Sequence, residues 1–280
     1  MSTALITHTE TAADLAGLLP ARKRVAWQVA PAPQLIRAGA AMSRLVQGDR
    51  ALDVVELDGR IEVYTDRDDL APLAPDAVIT QTGPDPVAEL ADLVLRIVLP
   101  RMERKAAEET RRAHGVDQVV IDSAQDMTEV GFSLIEYGAH VEPVERPDGG
   151  VGLEWTTSQG AEWGLWVLPG LAANGNLTLT YDGPVSGLYG LLPLLLPPHV
   201  GPALPDVTSE FTWHLTERFP QLRPLNADEI EFGRRDEASG SILLPSKDEP
   251  TDQMDDTRRV VAEFSRLGTD LLLAAVLHLV

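Results

Sequence analysis

The fold turns on residues 151–184, which read VGLEWTTSQG (151–160), AEWGLWVLPG (161–170), LAANGNLTLT (171–180) and YDGP (181–184). Three short runs, 151–157, 163–168 and 177–181, are rich in residues that suit a pleated, half-buried surface. Asn174-Gly175 is a hairpin turn signal, because both residues tolerate positive φ. Upstream, 141–145 reads as one more strand, closed by the turn Pro147-Asp148-Gly149-Gly150. Ahead of it, Ser123 can cap a helix over 124–137 with Met127, Val130, Leu134 and Ile135 inward, and Gly138 ends it. Downstream, Asp182-Gly183-Pro184 opens a helix through Val185, Leu188, Leu191 and Leu192.

The N-terminal part has the same grammar. Residues 32–46 read as a helix, with Leu35, Ile36, Met42, Leu45 and Val46 near helical spacing. A hairpin follows through Asp58-Gly59, then a short strand at 78–80. Ile79-Thr80-Gln81-Thr82-Gly83-Pro84 then leads into Val87, Leu90 and Leu93, as Thr180-Tyr181-Asp182-Gly183-Pro184 leads into Val185, Leu188 and Leu191. Asp85 can cap that long helix, Pro100 should kink it, and it ends near Gly115. The expected fold class is therefore α+β: two related α-β-β-β(-β)-α modules, 1–117 and 118–205, with antiparallel meander sheets about a pseudo-two-fold. A C-terminal segment, 206–280, completes the chain. In it Phe211, Trp213 and Leu215 alternate, 230–232 and 241–244 are strand candidates, and 257–280 reads as a helix that is apolar nearly all round at its end.

Composition limits the chemistry. The 280 residues carry 43 Asp and Glu against 23 Lys and Arg, a net charge of −20, and no Cys. Disulfides, Cys-ligated metals and a thiol nucleophile are excluded. Residues 118–205 hold ten acids and one base, Arg146, for a net −9. Such a surface opposes phosphate backbones and attracts basic partners. The uncharged stretch 183–205 is long enough to span a bilayer, but its prolines argue for a short buried helix and a proline-rich connection instead. No basic, apolar leader opens the chain, so a cytoplasmic location is expected.

Four constellations bear on function. After Pro100, Arg101, Arg104, Lys105, Arg111 and Arg112 form a basic arm that could contact an anion or nucleic acid, although interleaved Glu103, Glu108 and Glu109 suit a solvated helix face equally. Trp163 and Trp166 stand at odd spacing and point to opposite sheet faces. With Tyr189 and the apolar end Leu272, Val276 and Leu279, they are candidate partner-binding residues. His8, His114, His140, His199, His214 and His278 are scattered, with no metal-ligand spacing, and no nucleophile elbow or phosphate loop is present. Asp66, Asp68 and Asp69 lack the spacing of a calcium loop and read as a solvated turn.

The run Arg146-Pro147-Asp148-Gly149, Gly152-Leu153-Glu154-Trp155, Trp163-Gly164-Leu165-Trp166-Val167, Leu177 to Tyr181 and Gly183-Pro184 resembles a domain of unknown function found, often in tandem, in actinomycete proteins. The resemblance covers about 60 of the 280 residues and implies no activity. It departs from that pattern at Gly183-Pro184, where a Thr-Pro pair would stand. The element order also resembles secretion-chaperone-like folds in topology.

The expected function is a non-enzymatic acidic adaptor or chaperone-like module that binds another protein, a basic one suiting its charge, in a homo- or hetero-oligomer, with no cofactor or metal and no membrane span. One alternative is an accessory protein of a nucleic-acid machine, through the 101–112 arm or by DNA mimicry. A second is an enzyme whose site carries no recognisable motif.

Overall fold

A computed structural model describes residues 3–31 (backbone alone for 3–9), 40–65, 74–147, 149–170, 173–197, 209–233, 237–245 and 255–280. The chain is α+β and divides into two compact units, Met1–Met102 and Glu103–Val280. The boundary falls inside a helix.

In the first unit, α1 (Thr3–Leu18) precedes a five-stranded antiparallel meander in sequence order: β1 (Gln28–Pro31), β2 (Ala41–Gln47), β3 (Arg50–Leu57), β4 (Arg60–Thr65) and β5 (Ala77–Thr80). The β3–β4 turn is Asp58-Gly59, with φ of 50° and 75°, the conformation such a two-residue hairpin needs. Leu45, Leu52, Val54, Ile61, Val63 and Ile79 alternate onto one buried face. Then α2 (Pro86–Leu93) starts as expected, with the Asp85 carboxylate accepting from the Ala88 N–H at 3.0 Å. The helix widens into a π-helical stretch, Val94–Val98, before α3 (Leu99–His114). Pro100 is the physical reason: it has no N–H for the carbonyl of Arg96 and its ring crowds that carbonyl, so the turn before it opens.

The second unit is one eight-stranded antiparallel sheet, ordered β10-β11-β12-β13-β9-β8-β7-β6. Its first half is α4 (Val116–Glu136), β6 (Glu142–Glu145), β7 (Val151–Thr156), β8 (Glu162–Val167), β9 (Leu177–Pro184), a 3-10 turn at Val185–Leu188 and α5 (Leu192–Leu195). The second half repeats the helix and four strands, α6 (Glu210–Arg218), β10 (Arg223–Asn226), β11 (Glu229–Phe232), β12 (Ser239–Leu243) and β13 (Arg259–Leu267), and then closes in the opposite order, with α7 (Thr269–Ala275) before a 3-10 turn at Val276–His278. The last strands of the halves, β9 and β13, pair antiparallel. The two halves thus share one sheet, and 206–280 supplies four of its strands.

Several sequence expectations are corrected. The helix over 257–280 is instead strand β13 followed by short α7. Val260, Ala262 and Phe264 are buried while Arg259, Val261 and Glu263 are exposed, a period of two that runs to Phe264, after which a bulge with Arg266 at φ 62° shifts the register before Leu267. Phe211, Trp213 and Leu215 lie on helix α6, where Phe211 and Leu215 are buried one turn apart and Trp213 is 58% exposed. Its start is a capping box between Ser209 and Thr212. Residues 41–47 form strand β2 rather than the end of a helix, and 32–39 lie outside the described residues. On α4, Ile135 points outward, 51% exposed. The 66–69 turn, Asp148, His199, the side chain of His8, the prolines from Pro198 to Pro205 and most of the acidic 247–256 stretch also lie outside the described residues. Among the described residues no helix is long and apolar enough to cross a membrane.

Candidate functional site

Alternation along the strands gives the eight-stranded sheet two unlike faces. One is apolar and carries α4 and α7: Leu153, Trp155, Trp163, Leu165, Leu179, Tyr181, Ala262 and Phe264. Trp155 stacks on Trp163 with centroids 6.3 Å apart, Trp163 meets Tyr181 at 4.4 Å, and the Trp155 indole donates to the Leu279 carbonyl at 2.7 Å. Trp163, Leu272, Val276 and Leu279 are therefore core side chains, each 3% exposed or less.

The opposite face carries the chemistry. Strand pairing lays Glu142, Glu154, Gly164, Thr180, Glu263, Ser241 and Glu231 in one row across the sheet. The next row runs Thr156, Glu162, Asp182, Val261, Leu243 and Glu229. At the β6–β9 end a cleft of about 430 Å³ opens over Gly164, lined by His140, Glu142, Glu154, Glu162, Thr180 and Asp182 among others. Trp166 lies beside it on this same face, yet it is only 5% exposed. Its ring lies over Gly152 and Gly164, where an added Cβ would come within 2.6 Å of the indole. Its N–H donates to Thr180 Oγ1 at 3.0 Å, and the Arg146 guanidinium sits 4.3 Å from its centroid.

Two pairs of like charges face each other directly across strands: Glu142 opposite Glu154, and Glu162 opposite Asp182. Such pairs destabilise a sheet unless a cation joins them. Arg259 joins the second, reaching Asp182 at 2.7 Å and Glu162 at 3.8 Å. That contact fixes the guanidinium more firmly in its charged form, chiefly through its hydrogen bond with Asp182. At the first pair, only the exposed imidazole of His140 stands 3.4 Å from Glu142, and among the described residues Glu154 has no cation. Beneath, burial pushes the Tyr181 phenol up to about 12.

The basic arm is engaged within the chain. Arg104 donates to Asn176 at 2.7 Å, Arg111 donates to the Ala173 carbonyl, and Arg101 stands 3.5 Å from Asp76. Lys105 and Arg112 make exposed one-turn pairs with Glu109 and Glu108. Glu103 accepts from the Thr269 N–H at 3.1 Å and from Asn176 at 3.2 Å. Arg101, Arg104 and Arg111 thus tie α3 to other segments, while Lys105 and Arg112 pair only along the helix itself.

Tyr189 anchors a separate cluster. Its hydroxyl donates to Asp256 at 2.6 Å and lies 2.7 Å from His214 Nε2, while Arg218 stacks on its ring at 3.9 Å. Burial, then the bond to Asp256, raises the phenol above its ordinary range. A phenol held protonated serves as a fastening donor between the two halves of the sheet unit, not as a base. No local pattern points to Asp256, which meets Tyr189 only through the folded chain, or to the Glu142–Glu154 pair, which depends on strand register. Among the described residues no group of three or more acids and histidines is placed to hold a metal ion. Comparison with family models, with curated proteins and with solved structures finds no match in any of the three.

Proposed function

We propose that the protein is a cytoplasmic, non-enzymatic adaptor whose open sheet face binds an arginine- or lysine-bearing segment of another protein. One observation carries this reading: of two like-charge pairs at the cleft, one is closed by Arg259 and the other, Glu142 with Glu154, awaits a cation. A partner's guanidinium at Glu142 and Glu154 does what Arg259 does two strands away, as a bidentate charge-assisted contact. The acids of the neighbouring strands add long-range attraction for a basic segment. Contact with nucleic acid through the 101–112 arm is the weaker reading, since Arg104 and Arg111 are engaged within the chain and the exposed Lys105 and Arg112 are each balanced by a glutamate one turn away.

The test is titration of a short arginine-rich peptide, with a lysine-rich peptide of equal length and duplex DNA as comparisons. Binding to both peptides that weakens with salt, prefers arginine, and falls about tenfold or more in E142K/E154K is expected, a loss of ~1.4 kcal/mol or more. Equal binding by E142K/E154K, or binding of DNA in place of the peptides, would overturn the proposal.

A further inference from the structure

We propose that the outer edge of β5 pairs antiparallel with β5 of a second copy of this chain, joining two five-stranded sheets into one of ten strands. The chain contains its own precedent. In the second unit the strand that ends each meander, β9 or β13, is paired on its outer side with the strand that ends the other. The buried positions Leu177, Leu179 and Tyr181 of β9 correspond to Val260, Ala262 and Phe264 of β13. In the first unit β5 holds the same place: it ends a meander, buries Ala77 and Ile79, and leads through Gly83-Pro84 into a helix, as β9 leads through Gly183-Pro184. Yet among the described residues β5 is the last strand of its sheet.

The composition of the sheet edges is a second, independent observation. Among the described residues the two sheets have four edge strands. Three carry a proline: Pro31 in β1, Pro143 in β6 and Pro224 in β10. Proline removes a ladder donor, and edge charges such as Glu142 and Glu145 repel a further strand, which is how soluble proteins blunt their edges. β5 alone, Ala77-Val78-Ile79-Thr80, has neither proline nor charge, and it shows Val78 45% exposed. An edge left pairable where the others are blocked fits a strand of equal character. Its own copy supplies one by a two-fold, self-complementary contact. Self-pairing centred on Ile79 sets Val78 opposite Thr80 of the second copy.

The full chain is measured by sedimentation equilibrium, alone and as V78K/T80K and V78E/T80E, with circular dichroism to verify folding. A dimer is expected for the natural chain. Each charged variant is expected to show half that mass, and an equimolar mixture of the two should recover the dimer. The absence of native cysteine allows a second measurement. V78C/T80C should oxidise to a covalent dimer while T128C, on the exposed face of α4, stays single. A monomeric natural chain, a V78K/T80K protein that remains dimeric, or equal cross-linking of both cysteine variants would overturn the proposal.

Discussion

Trp166 shows how a residue can face the open side of a sheet and still be buried. Its odd spacing from Trp163 places the two on opposite faces, and the strand register agrees. What the spacing does not reveal is the pair of glycines beneath the ring and the Arg146 roof above it, which bury it by cross-strand contacts. Gly164→Ala drives a methyl to 2.6 Å from both the Trp166 indole nitrogen and Thr180 Oγ1. It should cost about 1–3 kcal/mol in denaturant unfolding, the usual penalty of overpacking. Gly160, where an added Cβ meets nothing within 4 Å, sits at a φ of +77° and so tests backbone strain alone. Tyr181 supplies a pH signature. Its phenol is raised from 10.0 to about 12, mainly by burial, so the folded state favours the neutral form. Stability from this group is fully present below pH 10.0 and is lost as pH climbs through about 12. Urea midpoints measured across that window should fall with pH, and more gently in Tyr181→Phe.

Among the elements, strands were the most legible part of the sequence. β6, β7, β8, β9, β11 and β12 lie where period-two patterning and turn residues put them, to within about three residues at each end. Pattern and structure part where a short apolar run satisfies both periods. Val260 to Phe264 alternates, but with Leu267, Leu271 and Leu272 beyond it the set also falls near helical spacing, and long-range pairing with β9 decides for strand. Helix starts without a local cap were equally hidden. α7 follows Gly268, which has no capping side chain, and its first N–H, that of Thr269, donates to the carboxylate of Glu103 from α3, distant in sequence. Glu103→Ala should therefore lower stability by about 1–3 kcal/mol, since it leaves a buried donor unpaired. Glu108→Ala, which removes an exposed pair with Arg112, should stay within about 0.5 kcal/mol. Thermal unfolding of both variants distinguishes this capping role from a general effect of removing acids from the arm.

At the scale of the molecule, the repeat of meander and helix was visible at Gly83-Pro84 and Gly183-Pro184. The second repeat inside the sheet unit was not, because 206–280 carries no such junction. The charge of −20 was visible as a sum, but strand register alone gathers part of it into two facing pairs and places Arg259 on one of them. Binding of a basic peptide to this face, as proposed above, should weaken steeply as salt rises, because the charges are exposed and the Debye length falls from ~10 Å at 0.1 M to ~3 Å at 1 M salt. The most direct test of the open acidic pair is a map of backbone amide shifts on adding the arginine-rich peptide to the full chain. Changes concentrated at His140–Glu145, Leu153–Thr156 and Glu162–Gly164 are expected, and none of them in E142K/E154K. Changes confined to the exposed side of α4 around Phe132, or to the 101–112 arm, would contradict the proposal.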